Sequence, residues 1–179
     1  MGSFKANCYL VYDSKGNCVI IDPGEDADFI EEKVREFNLI PKVILLTHGH
    51  SDHISAVSDI ALAYGIEVYM NTKDAFLLRR AVALPSILKG LKEAELIEAG
   101  EISIKVLEIP GHTPGSVAFK LLGTPNVFCG DIFFADGSLG RTDFGYSDSG
   151  LMEKSIKRLR KFPKKTIFYP GHGEEFANL

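Results

Sequence analysis

Apolar residues recur along the chain in short runs separated by Gly, Pro, Asp and Asn, a pattern typical of strands joined by turns. Cys8–Tyr12 and Cys18–Asp22 are two such runs, and the turn chemistry of residues 13–17 between them predicts a hairpin. Val43–Thr47 is almost wholly apolar, which predicts a strand buried on both faces. Further strands are predicted at Glu67–Met70, Ile102–Ile109, Ser116–Leu122, Asn126–Cys129 and Thr166–Tyr169.

Helical periodicity appears between these strands. A helix over Ala27–Phe37, capped by Asp26, is predicted from an apolar face formed by Phe29, Ile30, Val34 and Phe37. A second helix is predicted over His53–Tyr64, a third begins near Thr72 and breaks at Pro85, and the last carries the stripe Met152, Ile156 and Leu159.

Two segments are less regular. Leu84–Leu91 is interpreted as a separate short packed helix, with a lid or a dimer contact as alternatives, and oligomeric state is left open. Gly130–Ser147 is rich in Gly, Asp and Phe without periodicity, which predicts a long loop. Helices interleaved with strands favour a layered α/β protein, and no boundary divides residues 1–179 into more than one domain.

Composition narrows the class of protein. Hydrophobic residues make up 45% and charged residues 25% of the chain, as in ordinary folded domains. The net charge of −4 gives no electrostatic reason to expect nucleic acid or an anionic membrane as a partner. Cys8, Cys18 and Cys129 show no CxxC spacing, which fits reduced thiols in a cytoplasm. With no apolar run of membrane-spanning length and no signal-peptide pattern, we expect a cytoplasmic enzyme.

The strongest chemical signal is the segment Thr47–His53, which contains four potential metal ligands. Alternate side chains of an extended segment point the same way, so His48, His50 and Asp52 can converge. His53 begins the next predicted helix and points towards a neighbouring position. One segment can therefore serve two adjacent metals.

Other candidate ligands also follow predicted strands. His112 and His172 each stand behind Pro-Gly, and Asp131 stands behind Gly130. Open α/β sheets place ligands at the carboxyl ends of strands, so we expect these side chains to join the histidine segment. The donors are nitrogen and oxygen only, which suits zinc and also iron or manganese.

The chain resembles the metallo-β-lactamase superfamily over nearly its whole length. The resemblance is carried by residues 7–11 (Asn-Cys-Tyr-Leu-Val), 21–24 (Ile-Asp-Pro-Gly), 47–53 (Thr-His-Gly-His-Ser-Asp-His), 110–116 (Pro-Gly-His-Thr-Pro-Gly-Ser), Gly130-Asp131 and 170–173 (Pro-Gly-His-Gly). Within that family the chain is most similar to the glyoxalase II branch, and residues 140–143 (Gly-Arg-Thr-Asp) resemble small bacterial glyoxalase II-like proteins.

This resemblance implies a four-layered αβ/βα sandwich with two divalent metal ions, zinc first among them. It implies that His48, His50 and His112 hold one metal, that Asp52, His53 and His172 hold the other, and that Asp131 bridges them. A metal pair about 3.5–4 Å apart lowers the pKa of a shared water towards neutrality. The bridging hydroxide would attack a thioester or ester, and Asp52 is the candidate for orienting it and accepting a proton.

The implied function is a metal-dependent thioesterase acting on hydroxyacyl thioesters, a small-molecule substrate class. A mono-iron persulfide dioxygenase and a superfamily phosphodiesterase are the alternatives. Phe133, Phe134, Tyr146 and Arg141 are candidate substrate residues in the loop after Asp131. Full-length glyoxalase II enzymes carry a helical C-terminal domain that helps to bind glutathione, whereas seven residues follow His172 and begin Gly-Glu-Glu-Phe. The hydrolytic centre is therefore predicted, but recognition of glutathione is not.

Overall fold

A computed structural model describes residues 5–78 and 88–178. In these ranges the strands are β1 Tyr9–Tyr12, β2 Asn17–Ile21, β3 Ile40–Leu45, β4 Glu67–Met70, β5 Leu88–Gly90, β6 Leu96–Ala99, β7 Ile102–Glu108, β8 Val117–Leu121, β9 Asn126–Gly130, β10 Ile167–Pro170 and β11 Phe176–Ala177. The α-helices there are α1 Ala27–Glu36, α2 Ser51–Ile54, α3 Val57–Tyr64, α4 Ala75–Leu78 and α5 Ser149–Leu159, and a 3-10 turn spans Thr72–Asp74.

The strands form two sheets. The first has the order β1-β2-β3-β4-β5, with an antiparallel β1-β2 hairpin followed by parallel pairs. The second has the order β11-β10-β9-β8-β7-β6 and is antiparallel except between β9 and β10. The predicted hairpin and the strand Glu67–Met70 are confirmed.

Side-chain alternation within the strands builds the layers. In β2, Cys18 and Ile20 face the cluster that holds α1 and α3, whereas Val19 and Ile21 face the second sheet. The outer face of the second sheet packs against Met152 and Leu159 of α5. Both faces of each sheet are thus covered, and the predicted four-layered αβ/βα sandwich is confirmed.

Strand direction places the chemistry at one edge. Because β7 and β9 are both antiparallel to β8, they run the same way, and β10 runs parallel to β9. The loops that follow β7, β9 and β10 therefore leave the same edge of the second sheet. The loop after β3 meets them there, since the amide of Val117 donates to the carbonyl of Thr47 (2.8 Å).

Two helix predictions need correction. The helix predicted over His53–Tyr64 is divided into α2 and α3, because the amide of Ala56 donates to the carbonyls of Pro23 and Gly24. In α1 only Ile30 and Val34 enter the core, whereas Phe29 and Phe37 remain 49% and 51% exposed. Asp26 occupies the N-cap position, but its side chain makes no cap hydrogen bond.

The segment Leu84–Leu91 divides at the limit of the described chain. Residues 84–87 and the break predicted at Pro85 lie outside the described residues. Leu88–Gly90 is strand β5, paired in parallel with β4, so the helix predicted there is wrong. Strands β6 and β11 were not predicted. Within residues 5–78 and 88–178, no helix is both long and apolar enough to cross a bilayer.

Candidate metal centre

The first group of donors joins two loops. His48 and His50 follow β3, and His112 follows β7. One nitrogen from each of these three histidines lies within 4.8 Å of the other two. His50 Nδ1 and His112 Nε2 are only 2.9 Å apart, so the two rings turn their nitrogens towards a common point.

The second group lies beside the first. Asp52 and His53 are in the short helix α2, and His172 follows β10. Asp52 Oδ2 lies 3.7 Å from His53 Nε2 and 3.3 Å from His172 Nε2. These three residues also bring one donor atom each to within 4.8 Å of one another.

Asp131 lies between the two groups. Its Oδ2 is 3.5 Å from His112 Nε2 and 3.4 Å from His172 Nε2, and its Oδ1 is 3.6 Å from His53 Nε2. One carboxylate thus faces histidines of both groups. The structure brings together all seven residues that the sequence singled out as metal ligands.

Unsatisfied polar atoms test whether this arrangement fits metals. His48 Nε2, His53 Nε2 and Asp131 Oδ1 are buried and have no hydrogen-bond partner. Orphaned buried donors and acceptors are rare because leaving one unpaired costs about 1–3 kcal/mol. His53 Nε2 lies 3.6 Å from Asp131 Oδ1, and His48 Nε2 lies 4.0 Å from Asp131 Oδ2, so the unpaired atoms gather around the shared carboxylate and the residues present fit a dimetal site.

Asp22 and Thr47 support the ligands from behind. Asp22 accepts hydrogen bonds from the amide and the hydroxyl of Thr47 (2.7 and 2.5 Å), and it lies 3.1 Å from His53 Nδ1. Thr47 Oγ1 also lies 3.0 Å from His48 Nδ1. Asp22 approaches His48 and His53 closely enough to resemble a ligand itself. With its oxygens already engaged, it is better described as the group that orients His53.

Tyr146 supports the first group from the cleft side. Its hydroxyl lies 2.8 Å from His50 Nε2, and its ring stacks on Phe144 at 5.3 Å and meets Phe76 edge-on at 5.2 Å. This contact engages the nitrogen of His50 that faces away from His112. The remaining nitrogen, Nδ1, is the one that faces the metal centre.

The candidate ligands shift one another's pKa values. Burial and the nearby His53 and His112 hold the pKa of His48 well below its usual value, and burial together with His112 lowers the pKa of His50 to about 4. Hydrogen bonds to Asp131 and Asp52 raise the pKa of His172 to about 10. Burial opposes ionisation of Asp52, but His172 and His53 outweigh it and lower the pKa of Asp52 to about 2.

A cleft of about 480 Å³ opens onto the metal centre. Besides candidate ligands, its wall is formed by Ser51, Phe134, Leu139, Gly140, Arg141 and Phe144. The Arg141 guanidinium lies 4.6 Å from the centre of the Phe144 ring and donates two hydrogen bonds to the Asp143 carboxylate (2.9 and 2.8 Å). The described wall is therefore largely apolar, with one exposed cation at its rim.

The candidate substrate residues differ in where they lie. Phe133 is only 3% exposed and packs against Phe168 and Phe176, so the structure places it in the core and not on the wall of this cleft. The next residue, Phe134, does line it, because neighbouring side chains alternate between core and cleft. Asp22 was missed as an orienting group, although it lies in one of the motifs that carried the family resemblance.

Comparison with known sequences and structures identifies relatives of the whole chain. The sequence profile of the metallo-beta-lactamase superfamily matches residues 1–172. Hydroxyacylglutathione hydrolase GloC of Haemophilus influenzae is 35% identical over 185 residues, which covers 96% of this chain and 87% of that protein.

Two solved structures are similar throughout. BLEG-1, a B3 metallo-beta-lactamase, matches with a TM-score of 0.92 at 32% identity, covering 99% of this chain and 91% of that one. TTHA1623, solved in a di-iron-bound form, matches with a TM-score of 0.89 at 35% identity, covering 99% and 92%. The names of these relatives record a β-lactamase, a di-iron-bound protein and a hydroxyacylglutathione hydrolase.

Proposed function

This chain belongs to the metallo-β-lactamase superfamily, and we propose that it is a dimetal thioesterase that hydrolyses hydroxyacyl thioesters. The observation that carries the proposal is the complete set of seven donors in two groups around one shared carboxylate, open to a cleft. Similarity to a hydroxyacylglutathione hydrolase supports the choice of substrate class.

We assign His48, His50 and His112 to one metal and Asp52, His53 and His172 to the other, with Asp131 between them. The division follows the two groups of converging donor atoms. Nitrogen and oxygen donors suit zinc, our first choice, and also iron or manganese. The di-iron form of TTHA1623 keeps iron as a serious candidate.

When bound, two such metals would lower the pKa of a water towards neutrality and polarise a carbonyl. The protein itself supplies orientation and a proton acceptor. Asp52 lines the cleft, where its carboxylate can accept a hydrogen bond from the attacking water and take its proton. A thiol is acidic enough for the thiolate to leave without a strong general acid, so the reaction does not require one from the cleft wall.

The cleft supports a small acyl substrate. Phe134, Leu139 and Phe144 give apolar contact area, and the Arg141 guanidinium lies at the rim where it can meet a carboxylate of the substrate. Glutathione, the thiol named in the hydroxyacylglutathione hydrolase relative, carries such carboxylates. Reduced cysteines in the chain fit a cytoplasmic location.

One alternative is a mono-iron persulfide dioxygenase. A single metal would use one of the two donor groups and leave the other without a role. His53 Nε2 would then remain buried and unpaired, at a cost of about 1–3 kcal/mol. The second donor group therefore favours the dimetal hydrolase. Phosphodiester cleavage is disfavoured by the net charge of −4, and β-lactam cleavage is kept as an arm of the test because of BLEG-1.

The test is a substrate panel on metal-loaded protein, with thiol release, β-lactam opening, phosphodiester cleavage and oxygen uptake from a persulfide measured on one preparation. We expect hydroxyacyl thioesters to be cleaved fastest by a factor of at least 100. The Asp131→Asn variant should lose more than 100-fold in rate. The matched control is Asp136→Asn, an exposed carboxylate in the same loop, which should retain wild-type activity.

Other results of this substrate panel would contradict the proposal. Oxygen uptake with one iron per chain would establish the dioxygenase in place of the thioesterase. Faster cleavage of β-lactams or phosphodiesters than of any thioester would likewise overturn the proposed substrate class.

A further inference from the structure

Asp74 is a buried carboxylate outside the set of proposed ligands. It ends the 3-10 turn Thr72–Asp74 between β4 and α4, and it is 0% exposed. A buried carboxylate is costly unless hydrogen bonds replace the water that it has lost. Burial does raise the pKa of Asp74, although its hydrogen bonds act in the opposite direction.

The three hydrogen bonds that Asp74 accepts come from the two loops of the first donor group. The amide of Gly49 donates to Oδ2 (3.0 Å) from between His48 and His50. The hydroxyl of Thr113 also donates to Oδ2 (2.6 Å), and the amide of Gly115 donates to Oδ1 (2.6 Å). A single carboxylate therefore joins the loop after β3 to the loop after β7.

The direction of this network is determined by its geometry. The hydrogen of the Thr113 hydroxyl is committed to Asp74, so the Ser116 hydroxyl, 2.7 Å from Thr113 Oγ1, must be the donor in that pair. Ser116 Oγ in turn accepts from the amide of Thr113 (3.1 Å). The residues that follow His112 are thus locked into one conformation against Asp74.

Two motif glycines lie against Asp74. A Cβ at Gly115 would lie 2.6 Å from Asp74 Oδ1. A Cβ at Gly49 would lie 3.0 Å from Leu77 Cβ and 3.2 Å from Asp74 Cβ, and the Gly49 amide donates to the carboxylate. Any side chain at Gly115 would push the carboxylate away. Asp74 therefore accounts for three motif residues. Gly49 and Thr113 donate hydrogen bonds to it, and Gly115 both donates to it and leaves room for it.

We propose that Asp74 is a positioning residue that sets the affinity of the first metal position by holding the His48–His50 loop against the His112 loop. The inference rests on the proposed assignment of ligands. It predicts that Asp74 affects one metal position and not the other. The hydrogen bonds that Asp74 accepts come from the loops of the first group, whereas in the second group His53 is oriented by Asp22. Loss of Asp74 should weaken one metal and spare the other.

The experiment titrates cobalt(II) into metal-free wild-type and Asp74→Asn protein in the presence of a competing chelator. Visible absorption measures how much cobalt the protein has bound. The amide has one acceptor oxygen in place of two, so at least one donor from the loops loses its partner. Changes next to metal ligands typically cost 10–100-fold in affinity. We expect one equivalent to weaken at least 10-fold and the other to stay within twofold of wild type.

Further variants identify the affected position. In a His172→Ala background, which disables the second group, Asp74→Asn should weaken the remaining equivalent. In a His50→Ala background it should not. Thr113→Val keeps the side-chain shape and removes one donor, so it should weaken the same equivalent by a smaller factor. If Asp74→Asn fails to fold, Thr113→Val provides the test. Asp59→Asn, an exposed carboxylate on α3, is the matched control.

The outcomes separate this inference from the proposed function. Wild-type protein that binds fewer than two equivalents would contradict the dimetal assignment itself. Wild-type protein with two equivalents, and variants in which both equivalents are unchanged or both weaken in parallel, would overturn the role of Asp74 alone.

Discussion

At the scale of single residues, the position of one hydroxyl decides which nitrogen of His50 faces the centre. Tyr146 lies 2.8 Å from Nε2, so Nδ1 is left towards His112 and the proposed metal. A second partner of this kind fixes both the tautomer and the ring orientation of a ligand. Tyr146 was expected to contact substrate, and this contact indicates that it supports a ligand.

Replacing Tyr146 with Phe tests that role. The variant keeps the stacking on Phe144 and Phe76 and removes only the hydroxyl, so stability should change little while metal affinity falls about 10-fold or more. Chelator competition measures the affinity. Tyr12→Phe, an exposed tyrosine stacked on Phe37, is the matched control, and equal affinities in the two variants would refute the role.

Arg141 supports a prediction about specificity. Its exposed guanidinium lies at the rim of the cleft, held by Asp143 and by the Phe144 ring. Arg141→Ala should raise KM for thioesters that carry a carboxylate and leave neutral thioesters unchanged. Steady-state kinetics on a matched pair of substrates measures this. Equal effects on both substrates would show that Arg141 does not recognise the charge.

At the scale of elements, close packing of loops at the sheet edge leaves little room around the ligands. Gly171 precedes His172 after β10, and a Cβ there would lie 2.0 Å from Asp131 Oδ1 and 2.7 Å from His53 Cε1. The position tolerates only glycine because the loop passes directly behind two proposed ligands.

Gly171→Ala is therefore expected to reduce bound metal to one equivalent or fewer per chain, measured by elemental analysis after dialysis. Gly123→Ala is the control, because its left-handed backbone (φ 76°) makes the substitution costly by about 1 kcal/mol or more while nothing lies near the added Cβ. If both variants lose metal to the same extent, general destabilisation explains the effect.

Strands and helices were predictable where local sequence decides them. The hairpin β1-β2 follows from alternating apolar runs around a turn, and Glu67–Met70 from a short β-rich run. The break between α2 and α3 was not predictable, because it depends on the long-range contact of Ala56 with Pro23 and Gly24. Exposure of Phe29 and Phe37 likewise depends on which face of α1 packs into the core, where Ile30 and Val34 are buried.

In the candidate site, too, local features were predictable from the sequence and long-range contacts were not. His48, His50, Asp52 and His53 are adjacent in sequence, so their chemistry is visible in one motif. The support given by Asp74 to Gly49 and Gly115 joins residues far apart in the chain, and no local pattern marks it. Ligand type is thus encoded locally, whereas ligand geometry is a property of the assembled sheet edge.

At the scale of the whole molecule, the proposed ligands come from both sheets. His48 and His50 follow a strand of the first sheet, and His112, Asp131 and His172 follow strands of the second. Metals held by these residues would cross-link the two halves of the sandwich. Because metal binds the folded state, it must stabilise that state by linkage.

Removing the metals should lower the thermal midpoint. At a free metal concentration a thousandfold above Kd, the linkage contributes about 4 kcal/mol, or about 10 °C for a chain of this size. The protonated His172 must release its proton before binding metal, so this stabilisation should shrink as the pH falls. Calorimetry with and without chelator at two pH values measures it, and a midpoint indifferent to chelator would contradict the cross-link.

The central claim is that both metals are needed for thioester hydrolysis. The direct measurement removes metal from the protein stepwise and follows metal per chain and thioesterase rate on the same samples, then restores both. We expect two equivalents per chain at full activity and loss of activity as the second equivalent leaves. Full thioesterase activity at one metal per chain, or at none, would contradict it.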